Sequence, residues 1–77
     1  MKKHEFLGSC TNDKFCIMGI NLFKYKWSMV GDVVVVIDPK SKMPRNFSAY
    51  KIKAGEKELC FVAGKLADDS WGFYKYD

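Results

Sequence analysis

Val33, Val34, Val35, Val36 and Ile37 form an unbroken apolar run, opened by Gly31-Asp32 and closed by Asp38-Pro39. All five side chains are β-branched. Such residues lose χ1 freedom in a helix and pack well on a pleated surface, so the run predicts a strand. Successive residues of a strand face opposite sides, and here both sides are apolar. The expectation is therefore a strand with neither face wet, at the centre of a small barrel or a strongly curled sheet.

The 77 residues allow a single small β domain spanning 1–77. A chain of this length buries only about 60–65 % of the surface that its unfolded form exposes, so there is little core to spare. Twelve Phe, Trp and Tyr residues raise the buried area per residue, and disorder is excluded on composition.

Other strands follow from alternation. Tyr50, Ile52 and Ala54 alternate with Lys51 and Lys53, and Leu59, Phe61 and Ala63 alternate with Glu58, Cys60 and Val62. Gly55-Glu56 between them predicts a hairpin over 47–63, because glycine first in a two-residue loop supplies the positive φ that a type II′ turn needs. Gly31-Asp32 predicts a similar turn ahead of the valines. A first strand is expected over Lys2–Leu7 and an aromatic last strand over Trp71–Tyr76. Pro39 and Pro44 make 39–46 a loop, and 64–70 is a second connection with one helical turn around Leu66.

Residues 15–30 carry two patterns. Phe15, Met18, Leu22, Tyr25 and Met29 would form the apolar stripe of a helix at about 13–29, packed on a four- or five-stranded sheet in an α+β fold. The competing pattern breaks at Gly19-Ile20-Asn21 into two strands, with Phe23, Tyr25 and Trp27 opposite Lys24, Lys26 and Ser28; the aromatic density favours it. The fold expected is all-β, an antiparallel meander curled into a barrel of SH3-like or OB-like size.

The chemistry-bearing residues are sparse. His4, Cys10, Cys16 and Cys60 are suitable zinc donors in type, but no C-x2-C turn brings two of them together, so no metal site is expected. His4 is the sole imidazole, close to the chain start, and Asp68-Asp69 reads as a solvated turn. No catalytic residue and no cofactor are therefore expected, and the chain reads as non-enzymatic. An odd number of cysteines excludes a fully paired disulfide framework in a monomer, and Asn46-Phe47-Ser48 is read as a chance glycosylation match. Met1-Lys2-Lys3 is followed by no apolar stretch of signal-peptide length, nor does any run reach bilayer-spanning length. The expectation is a cytoplasmic protein with reduced thiols and no membrane association.

A binding role remains. The favoured reading is a protein-interaction or accessory module, of inhibitor type and of bacterial or viral origin, acting as a monomer or homodimer. Its contact surface is expected at Lys40, Lys42, Met43 and Arg45 in one loop, with Tyr74 and Tyr76 as exposed amphipathic anchors. Trp71 and Phe73 are expected to cap the core. The second reading is a single-stranded nucleic-acid binder, in which Lys24, Lys26, Lys51 and Lys53 meet the backbone and Tyr25 stacks on bases. A net charge of +4 is modest for that role.

Overall fold

The computed structural model describes residues 4–76, and no α-helix forms among them. In chain order the strands are β1 (Phe6–Cys10), β2 (Cys16–Ile17), β3 (Ile20–Asn21), β4 (Ser28–Ile37), β5 (Pro44–Ala54), β6 (Lys57–Lys65) and β7 (Trp71–Lys75), with a 3₁₀ turn at Leu22–Lys24. Five of them form one antiparallel sheet in the order β1-β7-β6-β5-β4, while β2 and β3 form a separate two-stranded hairpin. β4 to β7 is thus a meander of sequential neighbours, and β1 returns to pair with the last strand.

The β5–β6 hairpin closes through Gly55-Glu56 with Ala54 opposite Lys57, as its alternation and turn residues predict. Residues 15–30 form neither the expected helix nor the expected pair of strands: β2 and β3 are two residues each, Ile20-Asn21 lies in β3 instead of at a break, 22–27 is a 3₁₀ turn and an irregular stretch that folds Phe23 and Trp27 onto the sheet, and β4 begins only at Ser28. β2 and β3 meet across Met18-Gly19, where both residues have positive φ, and the 3₁₀ turn follows with the Asn21 side chain accepting from the Phe23 amide at 3.1 Å. The helical stripe does not exist: Leu22 is buried while Met18 and Met29 are exposed. β1 lies later than expected, at Phe6–Cys10, and Lys2 and Lys3 fall outside the described residues.

Two apolar clusters lie on opposite faces of the sheet. One contains Leu22, Ile52, Phe61, Ala63 and Phe73, with the 15–27 segment laid across it. Trp27 is its hub: its ring lies 5.0–5.9 Å from those of Phe23, Tyr50, Phe61, Trp71 and Phe73, and its Nε1 donates to the Leu22 carbonyl at 2.8 Å. Phe15 stacks on Phe73 at 4.3 Å. The other cluster holds Val34, Val36, Phe47, Ala49, Val62, Leu66 and Tyr74.

Among the described residues no separate segment of that kind covers the second face, which closes by bending. Tyr74 on β7 donates its hydroxyl to the Ile37 carbonyl of β4 at 2.7 Å, and the Tyr76 hydroxyl donates to the Asp32 carboxylate. In a flat sheet those strands would stand about 14 Å apart, three strand spacings, beyond the reach of a tyrosine. Gly64 and Gly72, paired across β6 and β7, leave room for what the bend brings in. A Cβ on Gly64 would lie 2.5 Å from the Phe47 ring, and one on Gly72 would lie 2.8 Å from Leu66. The curl stops short of a closed barrel, because β1 and β4 remain the unpaired edges of the sheet.

This corrects the placement of the valine run. Val34 and Val36 point into the curled face, but Val33, Val35 and Ile37 are 69 %, 62 % and 57 % exposed. The reason is the strand's position. β4 is an edge, and the aromatic cover on the outer face packs against Ile52 of β5, Phe61 and Ala63 of β6 and Phe73 of β7 rather than against the valines. Gly31-Asp32 is not a turn either. Met29 pairs with Tyr50 and Val33 with Ser48, so Val30, Gly31 and Asp32 bulge opposite Ala49 alone. Gly31, at φ +99°, supplies the backbone conformation that a side chain would resist there.

Candidate interaction edge

The outer side of β4 is a stripe of large apolar side chains. Met29, Val33, Val35 and Ile37 are each more than half exposed, and Met43, the last residue of the β4–β5 loop, is 62 % exposed. Val33, Val35 and Ile37 share one side by strand alternation, opposite Ser48, Asn46 and Pro44 of β5. Between residues 33 and 37 this edge carries no charge and no proline, the devices that usually blunt an unpaired strand.

One carboxylate holds the loop at the end of the stripe. Asp38 is fully buried and accepts from the amides of Lys40 at 2.7 Å, Ser41 at 3.4 Å and Ala67 at 2.8 Å; Arg45 Nε lies 2.9 Å from its second oxygen. Burial by itself would raise this carboxyl, but the three amides and the guanidinium outweigh it and hold it below the ordinary carboxylate range. The Lys42 amide donates to the Asp38 carbonyl, the Asp38 amide donates to the Met43 carbonyl, and β5 then begins at Pro44, earlier than the predicted 39–46 loop allows. The tip is thereby fixed, with Lys40, Lys42 and Met43 outside it.

The residues selected from sequence divide accordingly. Lys40, Lys42 and Met43 are exposed beside the C-terminal end of the valine stripe, Lys40 only loosely paired with Asp68 at 3.7 Å. Arg45 is half-buried against Asp38. Tyr74 is corrected: it is buried, with its hydroxyl bonded to Ile37, because β7 is an interior strand with a core on each face. Tyr76 is half-buried at the other end of the stripe, its phenol pushed up by donating to Asp32 and by burial.

The second residue set does not converge on a stacking surface. Phe23 and Trp27, interleaved with Lys24 and Lys26, pack into the aromatic cluster and leave Tyr25 as the exposed ring of that series. Lys51 and Lys53 are exposed on β5 opposite Cys60 and Glu58, on the face away from the aromatic cover.

Compared with protein-family models, curated proteins and solved structures, the chain matches none. The site therefore rests on its own chemistry. Cys10, Cys16 and Cys60 are free thiols, and His4 Nδ1 lies 3.0 Å from the Lys75 carbonyl oxygen. Among the described residues no three His, Cys, Asp or Glu side chains gather as a metal site, and no helix is long and apolar enough to cross a membrane. Sequence reasoning missed Met29, Val33, Val35 and Ile37 as surface residues. For Val33, Val35 and Ile37 the signal was present in the uninterrupted run 33–37, whose strong hydrophobicity reads as burial on both sides; Met29 lies outside that run.

Proposed function

We propose that this protein is a non-enzymatic binding module, an accessory protein that takes up an extended segment of a polypeptide along β4. The observation that carries the reading is the exposed stripe of Met29, Val33, Val35 and Ile37 on an unpaired strand edge. An added strand gains main-chain hydrogen bonds from the edge and apolar contacts from every second side chain. Fully covering a branched aliphatic side chain contributes about 1.5–3 kcal/mol, and association costs at least about 4 kcal/mol. The three outward residues of the run thus roughly offset the lower end of that cost, and backbone pairing with contacts at Lys40, Lys42 and Met43 supplies the affinity. The reading keeps the sequence-based expectation of the cytoplasm, where all three cysteines stay as thiols.

Affinity capture with the tagged protein from nuclease-treated lysate tests this. The expected result is a polypeptide held by the wild type and lost with Val35→Lys and with Met43→Asp, both substitutions being at exposed positions. Capture undiminished in both variants, or abolished by nuclease, overturns it.

A further inference from the structure

We propose that the chain occupying the β4 edge is a second copy of this protein, paired antiparallel with it across 33–37 around a twofold axis. This rests on the reading of β4 as the contact edge and names its occupant.

The first argument is self-complementarity. A twofold interface sets one segment against itself run backwards. The outward residues of this segment are Val33, Val35 and Ile37, so any antiparallel register that keeps the faces aligned pairs one branched aliphatic side chain with another. Val34 and Val36 remain in the core of their own copy and need not move. The bulge at 30–32 lies outside the stretch that pairs, which leaves 33–37 regular.

The second is charge. Asp32, whose carboxylate also accepts from Tyr76, stands exposed at the start of the segment, while Lys42 and the loosely paired Lys40 stand exposed beyond its end. Asp38, which would spoil that asymmetry, is buried against Arg45. Antiparallel pairing carries each copy's acidic end towards the other's basic tip, and parallel pairing would set like on like. The net charge of +4 per copy opposes association at long range, but that repulsion is screened within about 8 Å at physiological salt.

The third is closure. Pairing consumes both β4 edges and leaves, among the described residues, the two-residue strands of the β2–β3 hairpin and the β1 edges, which are five residues long and broken by a register shift between Phe6 and Gly8. Assembly therefore stops at two copies.

Sedimentation of the wild-type chain from micromolar to millimolar concentration tests the proposal, together with amide hydrogen exchange at 33–37. The expected result is a concentration-dependent dimer in which those amides gain protection. Val35→Lys should weaken it roughly a hundredfold, as removal of a central interface anchor does. Asp32→Lys should weaken it about fivefold, the scale of an exposed ion pair. A wild type that stays monomeric at millimolar concentration, or grows beyond a dimer, overturns the second copy alone, and the β4 reading is then decided by the capture experiment. A dimer that neither substitution weakens overturns both. If Val35→Lys fails to fold, Asp32→Lys and the exchange of the wild type still decide.

Discussion

The two faces of the five-stranded sheet are closed by opposite means. On one, a segment from elsewhere in the chain lays Phe15, Leu22, Phe23 and Trp27 over β5, β6 and β7. On the other, the sheet bends over itself until Tyr74 and Tyr76 of the last strand and its extension reach β4. Covering by a separate segment extends only as far as that segment does. Covering by curvature draws in β4, β5, β6 and β7, so one edge strand is included. β4 lies at the boundary between the two solutions, so its inward valines are core and its outward ones are surface.

The difference can be tested by weakening each closure in turn. Trp27→Ala removes the hub of the aromatic cover and should destabilise the fold by about 3 kcal/mol, the lower end of the cost of truncating a large aromatic, since Trp27 is partly buried. A melting transition lowered by no more than that of a surface mutant would mean that the cover is an appendage. Val34→Ala should cost about 2 kcal/mol and Val35→Ala, one residue along, within about 0.5 kcal/mol, which denaturant titration resolves. Equal losses at the two positions would erase the boundary drawn through β4. Tyr74→Phe removes the hydroxyl that spans the bend and should cost about 1 kcal/mol, read from the same titration. A loss near zero would show that apolar packing around Phe47 and Leu66 holds the curl without it.

Local order was legible in the sequence wherever the determining residues are neighbours. The β5–β6 hairpin needs only period-two alternation and Gly55-Glu56, all within one short stretch. The choice between helix and strand at 15–30 was half legible: aromatic density favoured strands over the helix, but no local signal announced that Phe23 and Trp27 would serve as a lid. The position of a strand within its sheet is not a local property, and there the reading failed. The strands with three consecutive buried residues are β6, at Phe61-Val62-Ala63, and β7, at Gly72-Phe73-Tyr74. Neither is uniformly aliphatic, because neighbours on both sides supply the apolar surroundings. The most aliphatic strand lies at the rim. Of the candidate site, the basic tip and Met43 were legible from an apolar residue set among lysines, whereas Tyr74 was misplaced because an amphipathic ring suits an interface and a spanning hydrogen bond equally well.

The knot at Asp38 has a consequence for how this molecule tolerates change. Its carboxylate grips the backbone of residues 40 and 41 and also that of residue 67, so the path of the tip is dictated by main-chain amides and not by the side chains it displays. Lys40 can therefore be exchanged for other residues without redrawing the loop, whereas Lys42, at φ +63°, accepts only side chains that tolerate the left-handed conformation. Inserting or deleting a single position, by contrast, would unseat the far turn as well. Variation here is confined to spelling and closed to length.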